Sequence, residues 1–261
     1  MTTTSTTTDF NSLRNSLTGD LHLPGESAWD EARLAWNLSA DQHPEAVAFI
    51  EGAEDARHVV DFARTNGLRI NVQGTGHNAT ALADLDGTIL VRTTRMRGVE
   101  IDVDARTARV EAGALWMDVI NPAAEHGLAA LAGSALDVGV AGYVLGGGLS
   151  FLSRKHGLAT NSVRAIEVVT ADGELVRADA LSEPDLFWAL RGGGGNFGVL
   201  TAIELELYEI SEVYAGLLAW PWEQADEAFR AWHRMLPDLS DETTTIAKLV
   251  QFPPFEEVPE P

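Results

Sequence analysis

The sequence predicts an α+β fold, on three observations. A strand–helix–strand order runs from Ala46 to Val72. Short strands joined by tight turns, with two helices among them, follow from Thr88 to Leu207. The composition then shifts near Glu209, where a further strand and an amphipathic helix begin. With 45% hydrophobic and 22% charged residues, the 261-residue chain has globular composition. It is long enough to bury a sizeable core as one large domain or two smaller ones.

Residues 1–40 read as a lead-in broken at Pro24-Gly25, with Trp29, Leu34 and Trp36 docking onto the main body. Ala46–Ile50 is a short buried strand. Ala53–Asn66 is a helix, because Ala56, Val59, Val60 and Ala63 make one apolar stripe and Gly67 suits its left-handed end. Leu68–Val72 is a second strand, and this order predicts a parallel pair with a right-handed crossover. The Asp86-Gly87 turn introduces a strand over Thr88–Val91. Val99–Val103 and Ala108–Ala112 flank another turn, and Leu115–Glu125 is a helix closed by His126-Gly127. Ala165–Thr170 and Glu174–Ala178 flank Ala171-Asp172-Gly173, a hairpin signal. Asp185–Leu190 is a short helix and Leu200–Leu207 a strand. Tyr214–Trp220 reads as a new strand. Glu223–Leu236 reads as a helix with Ala225, Ala228, Phe229, Trp232 and Leu236 on one face, and Phe252–Pro261 as a loop.

Composition excludes several function classes. The formal net charge is -21, and lysine occurs only at Lys155 and Lys248. Such a field repels nucleic acid and anionic membrane surfaces. Its simplest reading is surface solubility, and its sharper one a cationic substrate. There is no cysteine, which rules out disulfides, thiolate metal sites and cysteine nucleophiles. The Met1–Thr8 tract has neither a basic nor an apolar leader region, so the expectation is a cytoplasmic protein. Gly127–Leu152 is weakly charged but holds seven glycines, too many for a membrane helix.

Three features carry chemistry. Gln73-Gly74-Thr75-Gly76-His77-Asn78 comes directly after a strand, and successive N–H groups in such a turn make a concave anion site suited to a pyrophosphate. The same residues formally match a Rossmann fingerprint, which requires a helix immediately afterwards; Ala79–Val91 contains Asp84, Asp86-Gly87 and then a strand instead. Taken alone, His77 is a structural histidine. His22, His43, His58, His126, His156 and His233 are scattered, with no metal-ligand spacing. The second feature, Val138-Gly139-Val140-Ala141-Gly142-Tyr143-Val144-Leu145-Gly146-Gly147-Gly148, is too apolar for a solvated linker. It reads as backbone wrapped closely around a flat ligand, or packed tightly against another element. The third runs from Asp185 through Phe187 and Trp188, read as core, into Gly192–Gly195 and Asn196-Phe197-Gly198-Val199.

In this order and spacing, the three features resemble the FAD-linked oxidases of the p-cresol methylhydroxylase (PCMH) and vanillyl-alcohol oxidase fold, in the berberine bridge enzyme-like branch. The stretch Gly146–Asn161, then Pro184–Trp188 and Asn196–Gly198, is the most specific part. The resemblance implies a PCMH-type FAD-binding domain of two α/β subdomains over residues 41–210. The beginning of an antiparallel-sheet substrate domain would come next, over residues 211–261. It implies that His77 bonds covalently to the flavin 8α carbon and that Gln73, Gly74, Thr75, Gly76 and His77, with Asn78 beside them, cradle the pyrophosphate. Val138, Gly139, Gly142, Leu145, Gly146, Gly147 and Gly148 would line the flavin and its ribityl chain, with Gly157, Asn161 and Val199 close by. Ala135 stands where many relatives carry a second, cysteinyl tether, so a single histidyl link is expected. Relatives continue for about as long again beyond Phe252-Pro253-Pro254. That part supplies most of the substrate domain, often including a tyrosine base, so no catalytic base is assigned in this chain. The expected partners are a small-molecule substrate and a complementing C-terminal chain.

Overall fold

A computed structural model describes residues 8–82 and 84–251. The expected terminal loop Phe252–Pro261 lies outside the described residues. The first layer is a four-stranded sheet of β1 (Leu21–His22), β2 (Ala46–Phe49), β3 (Arg69–Gln73) and β4 (Thr88–Arg92), in the order β1-β2-β4-β3. The expected parallel strands are present, but β2 and β3 do not pair with each other; each pairs in parallel with β4, which stands between them. Burial explains the insertion. All five residues of β4 are buried, whereas β3 is mostly half-exposed, and a strand apolar on both faces belongs at the centre of a parallel sheet. The lead-in does more than dock. It contributes β1 antiparallel to β2, together with the short helices α1 (Asn11–Ser16) and α2 (Trp29–Ala32).

Helix α3 (Ala53–Asn66) has the predicted bounds. Ala56, Val59, Val60 and Ala63 are buried, and Gly67 ends the helix at φ 67° with its N–H on the Ala63 carbonyl. In the first turn, the buried Asp55 carboxylate accepts the backbone N–H groups of Thr18 at 2.8 Å, Gly19 at 3.1 Å and Glu51 at 2.9 Å, fastening the lead-in to the sheet. Asp55→Ala leaves three part-buried donors without an acceptor. The expected loss is about 2 kcal/mol, read as a lower urea midpoint at unchanged slope. A midpoint equal to that of the wild type would show that water replaces the carboxylate.

The second layer is an antiparallel sheet of β5 (Val99–Asp102), β6 (Thr107–Glu111), β8 (Val163–Val169), β9 (Leu175–Asp179) and β10 (Val199–Glu206), in the order β5-β6-β10-β8-β9. Strand β7 (Leu128–Ala129) pairs with β11 (Tyr208–Glu209) at its margin. Helices α4 (Trp116–Ala124), α5 (Val140–Leu145), α6 (Ser153–His156) and α7 (Pro184–Gly193) complete this half, and its core is centred on the fully buried Trp116. Helix α3 packs between the layers, since its apolar stripe shares a core cluster with Val169 of β8 and Val199 of β10. The result is a PCMH-type α+β architecture of two subdomains.

Two expectations need correction. Trp188 is not core: it is 75% exposed on α7, while its neighbour Phe187 is buried. Adjacent helix positions lie about 100° apart, and on α7 Phe187 takes the core-facing side while Trp188 falls outside it. Tyr214–Trp220 is not a strand among the described residues. It has no sheet partner, and Tyr214, Leu217, Leu218 and Trp220 are exposed. Helix α8 (Ala225–Met235) forms within the predicted range and fully buries none of its residues; Ala225, Ala228, Phe229 and Trp232 along its apolar stripe are half-buried. Among the described residues, no helix is long and apolar enough to cross a membrane.

Candidate functional site

The two layers meet at a seam lined by glycines. Residues 74–78 leave the C-terminal end of β3 at the top of the first sheet. An added Cβ at Gly74 would stand 3.6 Å from Thr93 Oγ1 and 3.9 Å from the Ala112 carbonyl, so this turn touches the end of β6 in the second layer. Gly76 has φ 87°, and a Cβ there would lie 2.8 Å from that of Ala35, so only glycine fits between the turn and the lead-in. Among the described residues, no acceptor takes the backbone N–H of Thr75, Gly76, His77 or Asn78, the arrangement that makes a turn an anion cradle. The chain then makes a single 3-10 turn over Ala79–Leu82, not the helix that a Rossmann fingerprint requires.

The second glycine segment faces this turn. Gly139 lies at 3.8 Å from the Thr75 side chain, measured from an added Cβ. Helix α5 begins immediately after it, anchored by Val140 N–H on the Ala114 carbonyl. Inside that helix Gly142 is exposed, and a Cβ there would meet nothing within 4 Å. Leu145 is buried in the second core, and Gly146 ends the helix. Gly147 and Gly148 take φ 107° and 73°, and their carbonyls accept from Thr160 and Ala159. Gly157 turns at φ 82° against the side chain of Asn161, 3.5 Å from an added Cβ. Val199 is buried in the first core with residues of α3.

Several site-lining groups give no signal in the sequence. The Trp36 indole stacks on His77, with ring centroids 4.0 Å apart and planes 16° apart, and its Nε1–H donates to Asp137 at 3.3 Å. Thr75 Oγ1 and His77 Nδ1 share a hydrogen bond of 2.8 Å. Arg92, buried at the end of β4 in register with Gln73, donates to the Leu34 carbonyl at 2.6 Å and has no carboxylate partner among the described residues. Burial alone pushes its guanidinium below the ordinary arginine range. Tyr143 packs edge-on against Trp116, and burial raises its phenol above the usual value. Among the described residues, no three acidic, histidine or cysteine side chains come together as metal ligands.

A two-layer α+β frame thus sets a turn with unpartnered N–H groups, among the described residues, beside a second, glycine-rich segment, an arrangement suited to a nucleotide cofactor. The family is specific: residues 44–179 match the FAD binding domain family, and the chain belongs to it. The chain is 36% identical over 206 residues to (R)-6-hydroxynicotine oxidase of Paenarthrobacter nicotinovorans, covering 78% of this chain and 45% of that one. It is 33% identical over 197 residues to glucooligosaccharide oxidase of Sarocladium strictum, covering 74% of this chain and 39% of the relative. Among solved structures, BBE-like 1 of Physcomitrella patens superposes with a TM-score of 0.71 at 30% identity, over 77% of this chain and 45% of that one. The chain thus spans about half the length of the curated relatives it matches.

Proposed function

We propose that this chain is the flavin-carrying part of an FAD-linked oxidase, with FAD lying in the seam and His77 as its single covalent attachment point. One observation carries the reading most directly: the N–H groups of Thr75–Asn78 have no acceptor among the described residues, and their turn lies beside a glycine segment in which Gly142 is open to a ligand. In this reading Gln73–Asn78 hold the pyrophosphate, while Val138, Gly139, Gly142 and Leu145–Gly148 line the flavin and ribityl chain. Gly157 and Asn161 lie near them, and Val199 acts from behind through the core. When bound, flavin would supply the redox chemistry, hydride transfer to N5 from a small-molecule C–H next to oxygen or nitrogen with dioxygen as the final acceptor. The protein's part is to bind, orient and exclude water. Residues 41–210 are the FAD-binding domain and 211–261 the start of a substrate domain. Tyr214–Trp220 and α8 would be covered by a further substrate-domain segment or a complementing chain, and the catalytic base belongs there.

Gly142→Ala tests the site by moving stability and binding in opposite directions. Alanine is the better helix former, and its methyl meets no protein atom here, so the ligand-free fold should gain about 0.5–1 kcal/mol. The same methyl stands where the ligand approaches. FAD affinity, followed by quenching of flavin fluorescence, should fall about tenfold, equivalent to about 1.4 kcal/mol. Unchanged affinity would place the cofactor elsewhere.

A further inference from the structure

Trp36 is 59% exposed, yet it is held at its backbone, its indole nitrogen and one ring face. Its backbone N–H donates to the Thr75 carbonyl at 2.9 Å, and its Nε1–H reaches Asp137, next to the second glycine segment. The buried Arg92 fixes the carbonyl of Leu34, two residues upstream. An exposed aromatic contributes little to core burial, so this degree of fixation points to the ring it covers. That ring is the His77 imidazole, lying nearly parallel to the indole. Thr75 binds Nδ1 from the side. The indole therefore sets the plane of the imidazole and the hydroxyl sets its rotation within that plane.

We propose that Trp36 is a positioning residue for His77, holding the imidazole at the angle at which a ring nitrogen meets the flavin 8α carbon. This rests on the tether reading above. Joining the two breaks one N–H and one C–H bond, forms one C–N bond and releases two protons and two electrons; dioxygen takes these up as hydrogen peroxide. Orientation of the attacking ring governs the rate of such a step, and a misplacement of about 1 Å can cost about a hundredfold.

The test is a time course of FAD incorporation into the apo chain, read by intact mass, for the wild type, Trp36→Phe, Trp36→Ala and Asp137→Asn. Imidazole nitrogen-15 spectra of the apo proteins and initial FAD quenching are recorded alongside. Trp36→Ala is expected to slow incorporation about tenfold or more. Trp36→Phe, which keeps a flat ring, should recover most of the rate, and Asp137→Asn should fall between them. The His77 signals should move in the alanine protein and return in the phenylalanine one, with initial quenching unchanged. If the alanine chain does not fold, Trp36→Leu keeps the bulk without the flat ring and should be equally slow. Incorporation at the wild-type rate without the aromatic ring overturns the proposal, as does a parallel loss of rate and initial quenching in every variant. Wild-type chain that stays unmodified overturns the tether reading and this proposal together.

Discussion

A His77→Ala chain is expected to release all of its flavin on acid precipitation, leaving a colourless pellet and the mass of the bare polypeptide. The effect should be complete because the sequence offers no substitute. It holds no cysteine, and Ala135 is an alkyl side chain that cannot form a second link. Other histidines are engaged elsewhere: His156 packs on Tyr208, His22 on Phe49, and His43 pairs with Asp41. Reversible binding should survive, since the donors of the anion cradle are backbone N–H groups that the substitution leaves in place. The protein would thus be yellow before acid and colourless after it. Acid-stable flavin in the variant would move the attachment point to another residue.

Gly148→Ala is the second large effect, and it acts on the fold beneath the site. Gly148 has φ 73°, a left-handed conformation that costs an alanine about 1 kcal/mol or more. Its new Cβ would stand 2.4 Å from Tyr143 Cε1 and 2.8 Å from the Ala159 Cβ. Trp116 packs against the Tyr143 ring, and the backbone of Gly133 lies beside its other edge, so the ring has little room to move aside. Strain and overpacking together should cost about 3 kcal/mol. In a chain of this length that lowers the melting temperature by roughly 6–12 °C. Tyr143→Leu in the same chain removes the clash but not the left-handed strain, so it should restore part of the loss and not all of it. A double variant no more stable than Gly148→Ala would mean that the ring is not what the methyl meets.

The sequence made the first layer and the glycine turns legible because their signals are local. The stripe Ala56, Val59, Val60, Ala63 and the stop at Gly67 lie within one helix, and the hairpin over β8 and β9 is announced by Asp172-Gly173. Order within a sheet is not local: nothing near β2 or β3 states that Thr88–Arg92 will come between them, and the decision belongs to burial on both faces of β4. Helix α5 was hidden because Gly139, Gly142 and Gly146 outweigh Val140, Val144 and Leu145 in any propensity sum. Trp188 misled because an aromatic beside a buried Phe187 looks like core until the helix phase is known. At the proposed site, the glycines and His77 are marked by local sequence features, whereas Trp36, Asp137 and Arg92 are not. Their partners are distant in the chain, and no spacing rule joins Trp36 to Asp137 across 101 positions.

The place of β10 has a kinetic consequence. It is the centre of the second sheet, paired on one side with β6 and on the other with β8, so the two flanking hairpins have nothing to join them until Glu206 is made. The strands of the first sheet are all made by Arg92, as is the turn that follows β3. At a synthesis rate of about 5–20 residues per second, that half waits on the order of ten seconds for its opposite wall. Before then a nucleotide has only one surface to hold. If the cofactor lies in the seam as proposed, its loading waits for the emergence of this single strand.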